Sequence, residues 1–333
     1  MQETRFDVLA IGNAIMDVMA RTEEDFLVAE GLSKSTMHLI DAARAETLHA
    51  AMHFAVEKSG GSAGNTAAGV ASLGARAAFI GKVADDAIGD RYRSDMHASG
   101  VHFETAPLPE GAPTARSMIL ITPDGERTMN TYLGACQMLG PGDIDPAVVS
   151  GAAVTYLEGY LWDPPEAKQA FLRAADIAHG AGRKVSLTLS DAFCVDRYRS
   201  EFLELVRSHT VDILFANDSE LKSLYETANL ESAIDGIRKD AMLSAVTVGA
   251  DGALVVTPEG VEAVPAEPVT EVADLTGAGD LFAAGFLAGI VRGMPLREAA
   301  RLGNLAAGEV IGHIGPRPGT SLKALAAKAG FRL

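Results

Sequence analysis

Short runs of Val, Ile, Leu and Ala alternate along this chain with longer segments of helical periodicity. Residues 7–11 have the character of a buried strand, 65–73 of a helix made from small residues, 77–83 of a strand and 87–98 of a helix. The same beat continues through 153–157 (strand), 165–181 (helix), 184–189 (strand), 197–208 (helix) and 211–216 (strand). Strands that are apolar on both faces and separated by helices predict an α/β fold, with a doubly wound, mostly parallel sheet flanked by helices.

Two stretches break the beat. Residues 116–121 and 128–133 flank Pro123-Asp124-Gly125, a turn signal, and so predict a hairpin. Residues 14–21 and 36–40 also read as extended. Together they predict a small β-sheet lid, built from about 14–40 and 114–134, standing off a single domain that takes in residues 1–333. A second hairpin is expected over 245–257, around Gly249-Ala250-Asp251-Gly252, at the edge of the main sheet. In such folds ligands sit at the carboxyl ends of the strands.

Composition narrows the function. Forty-four acidic against 28 basic residues leave a formal charge of −16, which excludes a general nucleic-acid binder needing a basic face for phosphates. A nucleotide ligand remains open, because backbone amides and a metal hold phosphates without many lysines. The only two cysteines, Cys136 and Cys194, make neither a metal-ligand spacing nor a disulfide framework, and a reducing, cytoplasmic setting is expected. Asp7, Asn13 and Asp17 interrupt the opening residues, which read as neither a signal peptide nor a membrane span. No other stretch approaches the roughly 18 uncharged apolar residues that a membrane helix needs.

Candidate chemistry concentrates near the C-terminal end, in DLTGAGDLFAAGFLAG, residues 274–289. Phe282, Phe286 and Ile290 recur at four-residue spacing, with Leu281 and Leu287 beside them, so a helix starts near Asp280. Free amides at a helix N-terminus form an anion site, and Gly277 and Gly279 let a phosphate approach the backbone. Asp280 at its mouth is placed to take a proton from an attacking hydroxyl, as phosphoryl transfer requires. Read in isolation, the same residues also fit a tight turn with an ordinary capping aspartate.

A second glycine cluster, SGGSAGNTAAGVASLG, covers residues 59–74 and satisfies G-x-S-x-G with Ser62 as nucleophile. That motif requires a buried strand before the serine, whereas Glu57-Lys58-Ser59 precede it, and no HGGG-like segment occurs. A Ser62, Asp280, His313 order is available but has little to distinguish it. Asn217-Asp218-Ser219-Glu220 follows a strand and suits either a water-mediated Mg²⁺ site or a helix cap at Asp218 or Ser219. No G-x-x-x-x-G-K-[ST] occurs, and no G-x-G-x-x-G follows the first strand, so nucleotide binding here is neither P-loop nor dinucleotide Rossmann. The eight histidines lack ligand spacing. Trp162 and Phe193 are single aromatics able to stack on a base, with core packing the default for each.

Four motifs in order, Gly12-Asn13 through Asp17, Gly60 to Asn65, Asn217 to Glu220, and Asp274 to Asp280, resemble those of the PfkB (ribokinase-like) carbohydrate and nucleoside kinase family over nearly the full length. The resemblance implies Asp280 as catalytic base and the amides of Gly277, Ala278 and Gly279 as anion hole. It implies acceptor binding by Asp17, with Asn13, Gly61, Ser62 and Asn65, and Arg127 reaching from the lid toward the phosphates. Asn217 and Glu220 would organise Mg²⁺ (the Glu220 carboxylate through water) and the triphosphate, and Thr247 and Gly249 would line the ATP site. Asp274, Thr276, Gly315 and Gly319 occupy the places of a monovalent-cation site, K⁺, that some members use.

Gly12 to Asp17, Gly159-Tyr160-Leu161-Trp162, Leu187 to Ser190 with Phe193, and Val211 to Asn217 look nearest to the adenosine kinase branch. Leu275, where the family usually has Thr, and Thr276, where that branch often has Asn, depart from the pattern, as does the segment from Gly312 to Gly319. The implied activity is ATP- and Mg²⁺-dependent phosphorylation of the adenosine 5′-hydroxyl, by a monomer or homodimer. A sugar or other nucleoside kinase of the same fold is the alternative, and a non-catalytic nucleoside binder the competing class.

Overall fold

The computed structural model describes residues 4–333. The first apolar run forms β1 (Phe6–Ile11), an interior strand of a nine-stranded sheet. On one side lie β5 (Ala77–Ile80) and β6 (Val101–His102). On the other lie β9 (Ala152–Glu158), β10 (Lys184–Thr188), β11 (Ile213–Asn217) and β12 (Leu243–Thr247), and all of these pairs are parallel. β13 (Ala253–Thr257) and β14 (Gly260–Val264) then continue the sheet antiparallel.

Side chains alternate across a strand, and β1 shows what that does here. Val8 and Ala10 join a core shared with the helices Ser62–Ser72, Ala278–Val291 and Leu296–Val310. Leu9 and Ile11 join a second core, with the helices Pro165–Gly180, Ala192–Arg207 and Leu230–Asp240. All four are fully buried, so a run that reads as continuously apolar feeds both faces.

A second sheet has five strands, in the order β3 (Met37–Leu39), β8 (Arg127–Tyr132), β7 (Ala115–Ile121), β2 (Ile15–Arg21) and β4 (Val56–Gly60). β7 and β8 are the hairpin around Pro123-Asp124-Gly125. β2 runs parallel to β7 and antiparallel to β4, with Asp17 in register with Ser117 and Lys58. One face of this sheet carries Met16, Val18, Met118 and Leu120 into the core, beside Ala45 and Leu48 of the helix Ala42–Ala51. The opposite face carries Asp17, Ser117, Thr131 and Arg127.

Three strands, β4, β6 and β14, lie outside the sequence reading. β4 precedes Ser62, where the sequence suggested none, and its alternating pattern at a sheet edge exposes Val56 and Lys58 while burying Ser59 and Gly60. It is an edge strand of the second sheet, not the buried strand of a nucleophile elbow. The hairpin over 245–257 is present as β12 and β13, but the edge of the main sheet is one strand further on, at β14. Among the described residues no helix is long and apolar enough to cross a membrane.

Candidate active site

The main-sheet strands deliver their loops to one end of the molecule, where two helix N-termini meet. The helix Ala278–Val291 starts after Gly277, whose φ of +82° is left-handed and whose absent Cβ would lie 2.8 Å from Pro316. Only glycine satisfies both constraints. The Cβ position of Gly279 meets no atom within 4 Å, which leaves the approach to the neighbouring backbone open. The first amides of a helix lack intrahelical acceptors and such a turn can receive an anion, though here the Ala278 amide donates to Leu275 O at 3.3 Å.

Asp280 stands in that turn. Its Oδ1 accepts from the Ser62 hydroxyl at 2.6 Å and its Oδ2 from Asn65 Nδ2 at 2.9 Å, while its backbone oxygen accepts from the Thr66 hydroxyl. The two helices are thus joined at the carboxylate. Burial pushes the Asp280 carboxyl above the usual carboxylate range, against the two hydrogen bonds and the Arg317 charge that favour its ionised form. Ser62 is committed to Asp280 directly, with no histidine between them, and His313 contacts Glu309, Ile314 and Gly319 instead. That arrangement lacks the histidine that would activate a serine nucleophile, and leaves Ser62 as a donor to the Asp280 carboxylate.

Asp17 approaches from the second sheet. A Cβ on Gly60 would lie 2.2 Å from its Oδ2, so β4 must place a glycine there for the carboxylate to fit. Burial raises Asp17 to about 7, with the Arg317 and Arg127 charges pulling it down and Asp280 pushing it up. Asn65 Oδ1 is buried without a partner beside this carboxylate pair, an unmet acceptor of the kind a ligand hydroxyl satisfies.

Asn13, Gly61 and the start of the Ser62 helix are positioned by a residue that sequence reasoning missed. Glu158, 1% exposed at the end of β9, accepts from Asn13 N (3.3 Å) and Nδ2 (2.7 Å) with one oxygen, and from Ala63 N (2.8 Å) with the other. Burial lifts its carboxyl to about 7. Gly61 has φ +82°, and a Cβ on it would lie 2.1 Å from Asn13 O. Arg317 was missed as well: its Nη2 donates to Ser59 Oγ at 3.0 Å, and its Nε and Nη1 are buried without partners.

Asn217 and Glu220 form a reciprocal capping box for the helix Asp218–Leu224, so the cap is Asn217 and not Asp218 or Ser219. Glu220 is buried, which raises it to about 7, and Asp191 and Asp218 add to that rise. Among the described residues no cluster of acidic, histidine or cysteine side chains could cage a metal. Glu220 with its acidic neighbours fits an ion held through water and substrate phosphates, the way Mg²⁺ prefers. Thr247 is in register with Asn217 on the adjacent strand, and Gly249 follows in an exposed turn at φ +60°.

The monovalent-cation residues separate. Asp274, Thr276 and Gly315 lie together, whereas the Gly319 amide is held by Glu309 and His313. Arg127, first residue of β8, ion-pairs with Asp274 and donates to the Thr276 hydroxyl at 3.2 Å. Trp162 is core, packed on Phe171 and Phe202 with its indole N–H on Glu201. Phe193 is 80% exposed and Tyr160 39% exposed, both just beyond the carboxyl ends of β10 and β9.

Known proteins resemble this chain over most of its length. The profile of the pfkB family carbohydrate kinases matches residues 6–323. An adenosine kinase from Sinorhizobium meliloti is 57% identical, with a TM-score of 0.90 over 98% of this chain and 99% of that one. A probable sugar kinase from Rhizobium etli is 55% identical, with a TM-score of 0.91 over the same 98% and 99%. An ATP-dependent ribose-1-phosphate kinase from Halopiger xanaduensis is 33% identical over 276 residues, 81% of this chain and 86% of the relative. The chain belongs to the pfkB carbohydrate kinase family, nearest to its adenosine kinase branch, and is an ATP-dependent kinase with a hydroxyl acceptor.

Proposed function

We propose that this kinase transfers the γ-phosphoryl group of ATP to the 5′-hydroxyl of adenosine, giving AMP and ADP. The observation that carries the choice of acceptor is Phe193, a ring left 80% exposed at the head of the helix Ala192–Arg207. A purine offers such a ring a flat π face, whereas a free sugar offers only the C–H bonds of its ring. Tyr160, whose amide donates to Ser190 Oγ at 3.0 Å, lies within the electrostatic reach of both Asp191 and Asp280.

In this reading Asp17 accepts hydrogen bonds from the ribose hydroxyls, and Asn65 Oδ1 accepts another. Asp280 takes the proton of the attacking hydroxyl. Its raised pKa makes it a better proton acceptor than a free aspartate, while the bonds from Ser62 and Asn65 fix its direction. The amides of Gly277, Ala278 and Gly279 receive the charge that grows on the transferred group. Mg²⁺, when bound with ATP, neutralises the phosphates, and Glu220 would hold it through water. The second sheet, with Asp17 and Arg127 on its inner face, acts as the lid that excludes water.

A phosphorylated or free pentose is the second reading, favoured by the similarity to the ribose-1-phosphate kinase and by an Asp17 site that recognises a ribose ring in either case. ADP release from Mg·ATP is measured with adenosine, inosine, guanosine, cytidine, ribose, ribose 1-phosphate and fructose. Turnover confined to adenosine supports the proposal. Turnover with a sugar or sugar phosphate instead keeps the Asp280 chemistry and removes the role of Phe193.

A further inference from the structure

Asp274 joins three separate parts of the chain. Its Oδ1 accepts from the amide (3.0 Å) and hydroxyl (2.8 Å) of Thr276. Its Oδ2 accepts from the Gly315 amide at 2.9 Å and faces Nη2 of Arg127 in an ion pair. The second arm of that guanidinium, Nη1, reaches the Thr276 hydroxyl. Both partners are almost closed off from solvent, at 9% exposure for Arg127 and 6% for Asp274.

These contacts leave Asp274 no vacant oxygen for a monovalent cation, and Gly319 is turned away to Glu309 and His313. The residues do not fit such an ion while the two sheets are in contact. The positive charge at this carboxylate comes from the chain itself, and from the other sheet. A carboxylate this buried is costly without its partner. The turn it organises ends at Gly277, where the anion hole begins.

We infer that Arg127 is a positioning residue. It supplies, from the second sheet, the counter-charge that fixes the turn from Asp274 to Gly277, so the anion hole is set only when that sheet is docked, and no monovalent cation is required there. Its effect on phosphoryl transfer rests on the kinase reading of the site, but the order it gives the turn does not. A planar fork is needed, because one charge must serve Asp274 while a second donor serves Thr276.

Hydrogen exchange on the substrate-free protein tests the link without catalysis. Arg127→Met should speed exchange of those amides in 276–281 that have acceptors, Thr276, Ala278 and Leu281, by about tenfold or more and leave the helix Ala87–Ala98 unchanged, with Arg127→Lys between the two. In turnover, Arg127→Met should lower kcat more than it raises the KM for ATP. Adding Asp274→Asn to it should recover part of the loss, since the stranded charge is gone. Wild-type kcat should be equal in K⁺ and in N-methylglucamine. Unchanged exchange over 276–281, a double variant worse than either single one, or a wild-type requirement for K⁺ each overturns the inference. The second of these outcomes would instead place Arg127 on the phosphates.

Discussion

Asp280 and Asp17 are both carboxylates held largely out of water, and their partners divide the work between them. Asp280 accepts two side-chain hydrogen bonds and lies in the first turn of a helix. Asp17 has no side-chain donor among the described residues and faces a gap made by Gly60. The first is oriented to take a proton, and the second is left free to accept from a ligand. Asp280→Asn keeps an oxygen for Ser62 but has no basic site, so kcat should fall roughly 10²–10⁴-fold with the Kd for ATP unchanged. Rapid-quench turnover measures it, and a loss below about tenfold would remove Asp280 as the base. Asp17→Ala deletes charge-assisted bonds worth about 1.5–3 kcal/mol, roughly 10- to 150-fold in adenosine Kd. Titration calorimetry that finds unaltered adenosine affinity would place the ribose elsewhere.

Glu158 shows how strand ends are tied to helix starts. One carboxylate at the end of β9 serves Asn13, from the loop after β1, and Ala63, in the first turn of the next helix. Glu158→Gln must turn an amide N–H₂ toward one of those donors, at a cost of about 1–3 kcal/mol. The expected result is a melting temperature lower by roughly 2–10 °C and a raised KM for the acceptor, with the KM for ATP unaffected. Calorimetry together with steady-state kinetics reads both effects, and an unchanged melting temperature would show that Asn13 and Ala63 do not depend on this carboxylate.

Elements of this kind also mark the limit of what the chain makes legible. The parallel strands were readable because each feeds two cores and so is apolar throughout. β4 and β14 were not, because an edge strand open to water mixes Val, Glu, Lys and Ser and loses the apolar run. The Asp280 loop could be read from local sequence, since a glycine turn and a helix start are neighbours in the chain. Glu158 gave no such signal, nor did its pairing with Asn13, 145 residues away, or that of Arg127 with Thr276, 149 residues away. A carboxylate after an apolar run, or an arginine on a hairpin, looks the same whether it is buried and paired or solvated.

Across the whole molecule, the acidic site makes stability depend on pH. Asp17, Glu158 and Glu220 each titrate near 7 when folded, well above the 3.8 or 4.5 ordinary for their types, because each is desolvated. Between about pH 4 and 7 the folded protein holds protons that the unfolded chain has released, so stability falls as pH rises across that window. The carboxylates with lowered values, among them Asp7 and Asp86, act in the opposite sense but only at lower pH, where they lose their charge. Self-repulsion from a formal charge of −16 adds to the decline toward neutral pH, so the slope alone does not identify the site groups. Asp17→Asn does identify them, because it removes one desolvated charge and changes the total by only one. The ligand-free variant should melt above the wild type at pH 7.5 and by clearly less at pH 5, with the gain reaching zero only near pH 4, where Asp17 of the unfolded chain is protonated as well. An offset of the same size at both values would mean that Asp17 is ionised throughout, and that the unmet acceptors around Asp280 are not held at the expense of stability.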